Sequence, residues 1–367
     1  MRRPGRALAL VLMAGALACR GPRPQGGVAN CTHLQAERRA YGAALCEDVW
    51  TCTRPPERGF DRVGLHRLAL CEGATGPTVL YLPGMHMNGE LPIAEPRHDL
   101  RVYLAAAGLR TWGVDYRTHA VPADASAADL ETLSRWTADL FADDATWAVG
   151  FVRGAEPGPV YVAGFSAGAG LAYRLASGQG DALAGLLILD GMAGGGRTAT
   201  GGGPAIDVGG SRLPYAERRR LLAEVIADPR RPSPVPGYAS AGDALADILY
   251  TAQSFGGQGG LANTRDEVSD LRLLATLLAS YDRWWPRAAL EAPAPPRTGY
   301  TLPVFAFAST KLGPEWVKRV HDSAGAYGGA QATVRDLPGY GHLDVLVGRR
   351  AAQDVFEPAR AWLTGAR

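Results

Sequence analysis

The residues best placed to do chemistry lie in Gly164-Phe165-Ser166-Ala167-Gly168, inside "GPVYVAGFSAGAGLAYRLA", residues 158–176. The chain holds 47 glycines in 367 residues. Random order would produce Gly-x-Ser-x-Gly about 0.2 times, so the pattern alone carries little weight. Its context carries more. "PVYVAG" reads as a strand and "AGAGLAYRLA" as a helix, so Ser166 falls on a strand-to-helix turn. Such a turn lifts a hydroxyl above the carboxyl end of a sheet, and small neighbours let the backbone bend and the helix approach. The N–H of Ala167, at the helix start, is then free to donate to a developing oxyanion. A serine is a poor nucleophile without a base. Of the seven histidines, His342 in "DLPGYGHLDVLVG" is the best candidate: it follows the last predicted strand and precedes the last predicted helix. His66, His98 and His119 come before the serine, and His321 sits within a predicted helix.

The elements that must position these groups follow a strand-helix rhythm. Eight strands are expected at Val49–Thr53, Leu65–Cys71, Thr78–Leu82, Thr111–Asp115, Val160–Gly164, Gly185–Asp190, Val304–Ala308 and Thr333–Leu337. Helices are expected at Asp99–Ala107, Ser126–Val152, Ala167–Ala176, Glu315–Ala324 and Ala351–Leu363. Strands alternating with helices of this length imply right-handed crossovers and an α/β class with a mostly parallel sheet. The two leading strands, joined only by loops, suit an antiparallel edge. Between the sixth and seventh strands lie about 110 residues, Gly191 to Leu302, far longer than an ordinary connection. This insertion opens with the low-complexity "GMAGGGRTATGGGP", expected as a mobile loop, and closes with the proline-rich "EAPAPPRTGY". Helical patterns lie between, at Tyr215–Ile226, Ala241–Phe255 and Asp266–Trp284, enough to form a lid over the end of the sheet. No internal repeat is visible.

The serine turn, the histidine loop and their chain order together resemble the α/β-hydrolases. Gly-His-Leu-Asp, residues 341–344, looks like the histidine loop of the acid-lipase-like branch. The resemblance spans roughly residues 48 to 365 and implies an α/β-hydrolase fold with a serine-histidine-acid triad. It also implies an oxyanion loop after the strand in "TVLYLPGMHMNGE", where Met85 N–H would pair with Ala167 N–H. Pro83 stands where that family usually has histidine, which leaves the backbone donor intact. "GLRTWGVDYRTH" resembles the family's fourth strand and following loop, and its Asp115 reads as structural. The acid is left between two positions. The usual place follows the seventh strand, where the first carboxylate is Glu315, but Pro314 and Glu315 have the form of a helix's first turn. Asp190, ending the sixth strand in "GLLILDGM", is preferred, and some lipases and haloalkane dehalogenases use that place.

The ends and composition set the setting. Arg2, Arg3 and Arg6 precede an apolar run from Ala7 to Leu17 and then Ala18-Cys19, the form of a signal peptide over residues 1–18. Cys19 resembles the lipidated cysteine of bacterial lipoproteins, although Ala16 stands where a larger aliphatic residue is usual; free export is the alternative. Cys31, Cys46, Cys52 and Cys71 are even in number and read as two disulfides with three connectivities open, pinning an extension over residues 19–47 to the body. Their spacing lacks the Cys-x-x-Cys knuckles of zinc sites. The remaining division is a core over 48–190 and 303–367 with the insertion at 191–302.

With 38 basic and 36 acidic residues spread along the chain, net charge is +2 and no basic block points to nucleic acid. No ligand-spaced cluster or phosphate loop implies a metal, nucleotide or flavin cofactor. The expectation is an exported serine hydrolase acting on a small-molecule or lipid carboxylic ester, with membrane attachment only through Cys19. A peptidase or amidase would use the same triad, and a non-catalytic surface binding protein would keep only the fold. Tyr281, Trp284 and Trp285 in "YDRWWP" could line an acyl pocket or fill the lid's own core.

Overall fold

In chain order the elements are β1 (Cys31–Ala40), β2 (Ala43–Thr53), β3 (Arg62–Leu70), β4 (Thr78–Leu82), α1 (Leu100–Ala106), β5 (Arg110–Asp115), α2 (Ala127–Thr132), α3 (Ala138–Ala155), β6 (Val160–Phe165), α4 (Ala167–Gln179) and β7 (Gly185–Leu189). Then follow β8 (Ala205–Asp207), α5 (Tyr215–Ala227), α6 (Ala241–Thr251), α7 (Leu271–Ala279), β9 (Trp284–Pro286), β10 (Val304–Ser309), α8 (Pro314–Gly328), β11 (Ala332–Leu337), α9 (Asp344–Val347) and α10 (Glu357–Thr364). They come from a computed structural model, which describes residues 30–89, 96–194, 202–208, 213–253, 259–290 and 301–365. Residues 1–18 and Cys19 lie outside the described residues, as do residues 195–201 of the glycine-rich stretch and all of "EAPAPPRTGY".

The main sheet has nine strands in the order β1-β2-β3-β5-β4-β6-β7-β10-β11. The strands from β5 to β11 are mutually parallel, whereas β1, β2 and β3 run antiparallel and β3 joins β5 antiparallel. This corrects the expected eight strands to nine. The extra one, β1, has a polar sequence without apolar alternation, and it forms because its partner supplies a ten-residue ladder from Cys31↔Cys52 to Ala40↔Ala43. The four cysteines pair as Cys31–Cys52, which joins β1 to β2, and Cys46–Cys71, which joins β2 to the end of β3. The bridges therefore staple sheet strands rather than an appended coil.

Strands β4, β6, β7 and β10 are buried along almost their whole length, the pattern of parallel strands covered on both faces. One core packs Trp50, Trp112, Phe141, Val149, Tyr173 and Trp316 between the sheet and α3, α4 and α8. On the other face Tyr81, Phe165, Phe307 and Phe356 meet α1, α10 and the insertion helices α5–α7 through Leu221, Leu245 and Leu274.

Helix boundaries follow capping chemistry. The helix expected over Ser126–Val152 is broken: Ser126 caps α2 with a capping box to Asp129, and Thr137 starts α3 afresh. Between them Leu133 and Trp136 turn inward, with the Trp136 indole donating to Asp61. The Asp266–Trp284 pattern likewise resolves into α7, capped by Asp270, and a short ladder in which Ile206 faces Trp285.

Arg117, 1 % exposed, holds the β5 exit in place by donating to both Asp61 and Asp144, while Arg54 donates to Asp144 from outside. Removing this cation strands two buried carboxylates. Arg117→Met is expected to cost about 3–5 kcal/mol in urea denaturation, and a loss under 1 kcal/mol would show that the carboxylates find other partners.

Candidate active site

Ser166 occupies the turn between β6 and α4 with φ 54° and ψ −119°, a left-handed conformation that side-chain-bearing residues avoid. Tight packing explains the glycines around it. A Cβ on Gly164 would meet the Gly168 carbonyl and Ala169, and a Cβ on Gly168 would meet the carbonyls of Leu82 and Pro83. Gly191, just after Asp190, lies against the Ser166 backbone and Ala169 in the same way. The first turn of α4 thus rests directly on the ends of β4, β6 and β7. Ser166 is half-buried and Ala167 exposed, so the turn opens outward.

His342 follows β11. Its Nδ1 lies 2.6 Å from Asp190 Oδ2, and its ring stacks on Phe165, the residue before Ser166, at 4.7 Å between centroids. Nε2 is buried and, among the described residues, has no hydrogen-bond partner. Asp190 is fully buried, yet its charge is well met: Oδ1 accepts from Ser309 N–H at 2.7 Å and from the Trp316 indole at 2.9 Å. Because a carboxylate only accepts, Nδ1 carries the proton in this pair and Nε2 is left as the base nitrogen. The structure therefore brings Asp190, and not Glu315, to His342. Glu315 is exposed in the first turn of α8, behind Pro314.

The loop after β4 carries Met85, half-buried, and the Pro83 carbonyl that both Gly168 and the Tyr116 hydroxyl approach. Among the described residues neither Met85 N–H nor Ala167 N–H has a hydrogen-bond acceptor. Asp115 accepts Gly89 N–H at 2.9 Å and His66 Nε2–H at 2.6 Å; burial pushes its pKa up, but the His66 bond, the charges of His66 and His119 and the Gly89 amide together hold it below the ordinary value. Its position is structural, bracing the end of the Met85 loop.

Two further residues of the site were not assigned a role from the sequence. His86, next to Met85, has φ 66° and is buried. Its Nδ1–H donates to the Asp282 carbonyl at 2.9 Å, and Asp282 N–H returns a bond to the His86 carbonyl at 2.8 Å. Asp344, two residues after His342, accepts from Gly341 N–H, Asn263 N–H and the Ser269 hydroxyl, which ties the histidine loop to the insertion. Burial raises its pKa, against those three donors. The spacing His-x-Asp was the available signal for Asp344; His86 offered none.

Of the aromatic trio, Trp285 is 4 % exposed and packs between Tyr116 and Phe141 in the main core. Trp284 is half-buried beneath the Arg283 guanidinium, and Tyr281 lies under Arg218. Among the described residues no group of three or more His, Cys, Asp or Glu side chains could hold a metal ion. A hydroxyl on a strained turn, an imidazole oriented by a carboxylate and two unspent amides are the parts that acyl transfer needs.

No protein-family model matches the sequence, and no curated protein does so. Among solved structures, the chain resembles a candidate lipase from Sulfolobus solfataricus, at 28% identity and TM-score 0.75, over 88% of this chain and 95% of that one. It also resembles an alpha/beta hydrolase fold protein from Nakamurella multipartita, at 18% identity and TM-score 0.55, over 87% of this chain and 99% of that one. The chain has the α/β-hydrolase fold.

Burial lowers His86 from an ordinary pKa of 6.5 to about 4, so the folded protein keeps it neutral while the unfolded chain takes up a proton. A depressed pKa contributes stability that is complete above the ordinary value and is lost as pH falls toward 4. The loss is expected to reach about 3 kcal/mol. Denaturation midpoints measured from pH 7 to pH 4 should show this slope, and His86→Gln should flatten it; an unchanged slope in the variant would place the proton uptake elsewhere.

Proposed function

We propose that the chain is an exported serine hydrolase that cleaves carboxylic esters through an acyl-enzyme. The observation that carries this reading is the Asp190–His342 pair, 2.6 Å apart, with the imidazole stacked on the residue that precedes Ser166. Ser166 attacks the ester carbonyl while His342 Nε2 takes its proton and then delivers it to the departing alcohol. Asp190 fixes the tautomer and stabilises the imidazolium. The amides of Met85 and Ala167 bind the oxyanion. Water, deprotonated by His342, releases the acid and restores the serine.

The insertion forms the roof of the substrate site and is the part that chooses the ester, whether a small molecule or a lipid. The likeness to a candidate lipase at 28% identity supports this class of substrate. The two disulfides are compatible with export, and among the described residues no helix is long and apolar enough to cross a membrane. The leader at residues 1–18 and lipidation of Cys19 complete the proposal.

A fluorophosphonate probe should label the native protein and not Ser166→Ala; equal labelling of the two would remove Ser166 from the chemistry. Asp190→Asn should lower kcat by on the order of 10⁴-fold through the wrong histidine tautomer. Glu315→Gln should stay close to the native rate, and the opposite ranking would move the acid to α8. Mass spectrometry of the mature protein should find a lipid on Cys19, and an unmodified cysteine would replace the anchor with free export.

A further inference from the structure

Resting on the reading of Ser166 as nucleophile, we propose that Arg218 receives an anionic group of the substrate, so that the preferred ester carries a carboxylate. Arg218 projects from α5 toward the C-terminal end of α7 and is 9 % exposed. Its guanidinium has five donors and, among the described residues, makes one hydrogen bond, from Nη2 to the Leu278 carbonyl at 3.0 Å. It stands 5.7 Å from the centre of the Tyr281 ring. Among the described residues Arg218 forms no ion pair; the nearby carboxylate, Asp207, is 2.9 Å from Arg283 Nε. Among the described residues, then, this guanidinium has no carboxylate within ion-pair distance. An arginine cannot shed its proton to escape the cost of burial.

A short chain of neighbours links this charge to the Met85 loop. Tyr281 is followed by Asp282, which exchanges two hydrogen bonds with His86, and His86 adjoins Met85. The positive field of Arg218 reaches the His86 imidazole. A ligand that approached Met85 and Ala167 with its ester carbonyl could therefore present a second group to Arg218. The planar fork of a guanidinium fits a carboxylate through two parallel bonds. The predicted substrate class is a half-ester of a dicarboxylic acid.

The test compares monoethyl adipate with ethyl hexanoate by pH-stat. Native protein should favour the anionic ester in kcat/KM by roughly tenfold or more, and Arg218→Met should bring that ratio down toward one. No preference in the native protein, or a ratio that Arg218→Met leaves unchanged, would overturn the assignment. A second measurement separates it from the catalytic reading: calorimetric titration of monoethyl adipate into Ser166→Ala. Binding there that Arg218→Met abolishes supports the site whatever the fate of Ser166, and absence of binding overturns it. Failure of fluorophosphonate labelling would instead count against the nucleophile alone.

Discussion

The contact on which the site depends is that between the first turn of α4 and the ends of β4, β6 and β7. Three glycines permit it: Gly164 and Gly168 on either side of the serine, and Gly191 after the acid. Each stands where a single methyl group would collide with backbone, which cannot yield as a side chain can. This closeness does two things together. It holds Ser166 in a left-handed conformation at the end of β6. It also sets the start of α4 against the Pro83 carbonyl, so that two backbone N–H groups without acceptors, at Met85 and Ala167, come from adjoining segments. The strain at Ser166 is local and is offset by the burial of β6 and α4 beneath it.

The same economy governs the acid. Asp190 also has a positive φ, 53°, and its carboxylate is sealed from water, a costly arrangement for an anion unless its lone pairs are met. Ser309 and Trp316 meet one oxygen, which leaves the other for His342. The donors come from β10 and α8, the region that holds Glu315. The seventh predicted strand therefore does supply part of the surroundings of Asp190, but as hydrogen-bond donors to a carboxylate that arrives from the neighbouring strand.

What the sequence made legible follows from which interactions are local. The central strands read clearly because burial on both faces demands continuous apolar runs, and Thr78–Leu82 was bounded to the residue. The serine turn and the histidine loop read clearly because each is a short pattern at an element boundary. β1 was hidden, since "CTHLQAERRA" is polar and owes its strand to its partner and to the disulfides. The choice between Asp190 and Glu315 was open because it rests on which of the turns after β7 and β10 aims its carboxylate at His342: β10 is the strand beside β11, yet the carboxylate comes from the end of β7, and no local pattern encodes that. His86, Arg218 and the inward turn of Trp285 depend on how the insertion folds back on the sheet, which no periodicity in that segment encodes.

That folding back also bears on how the insertion works. It is fastened to both loops that flank the reaction centre. Toward Met85, Asp282 exchanges two bonds with His86 and takes others from Thr118 and His119. Toward His342, the carbonyls of Gly260 and Leu261 accept from His342 and Leu343, while Asn263 and Ser269 bind Asp344. Each such bond contributes only about 0.5–1.5 kcal/mol net, but freeing the segment would leave buried amides and a buried carboxylate unmet at once, which costs more. Swinging the insertion away as a rigid flap would therefore disturb the Met85 loop and the His342 loop together. Under the proposed reading, substrate entry is then better served by movement within the insertion than by its detachment.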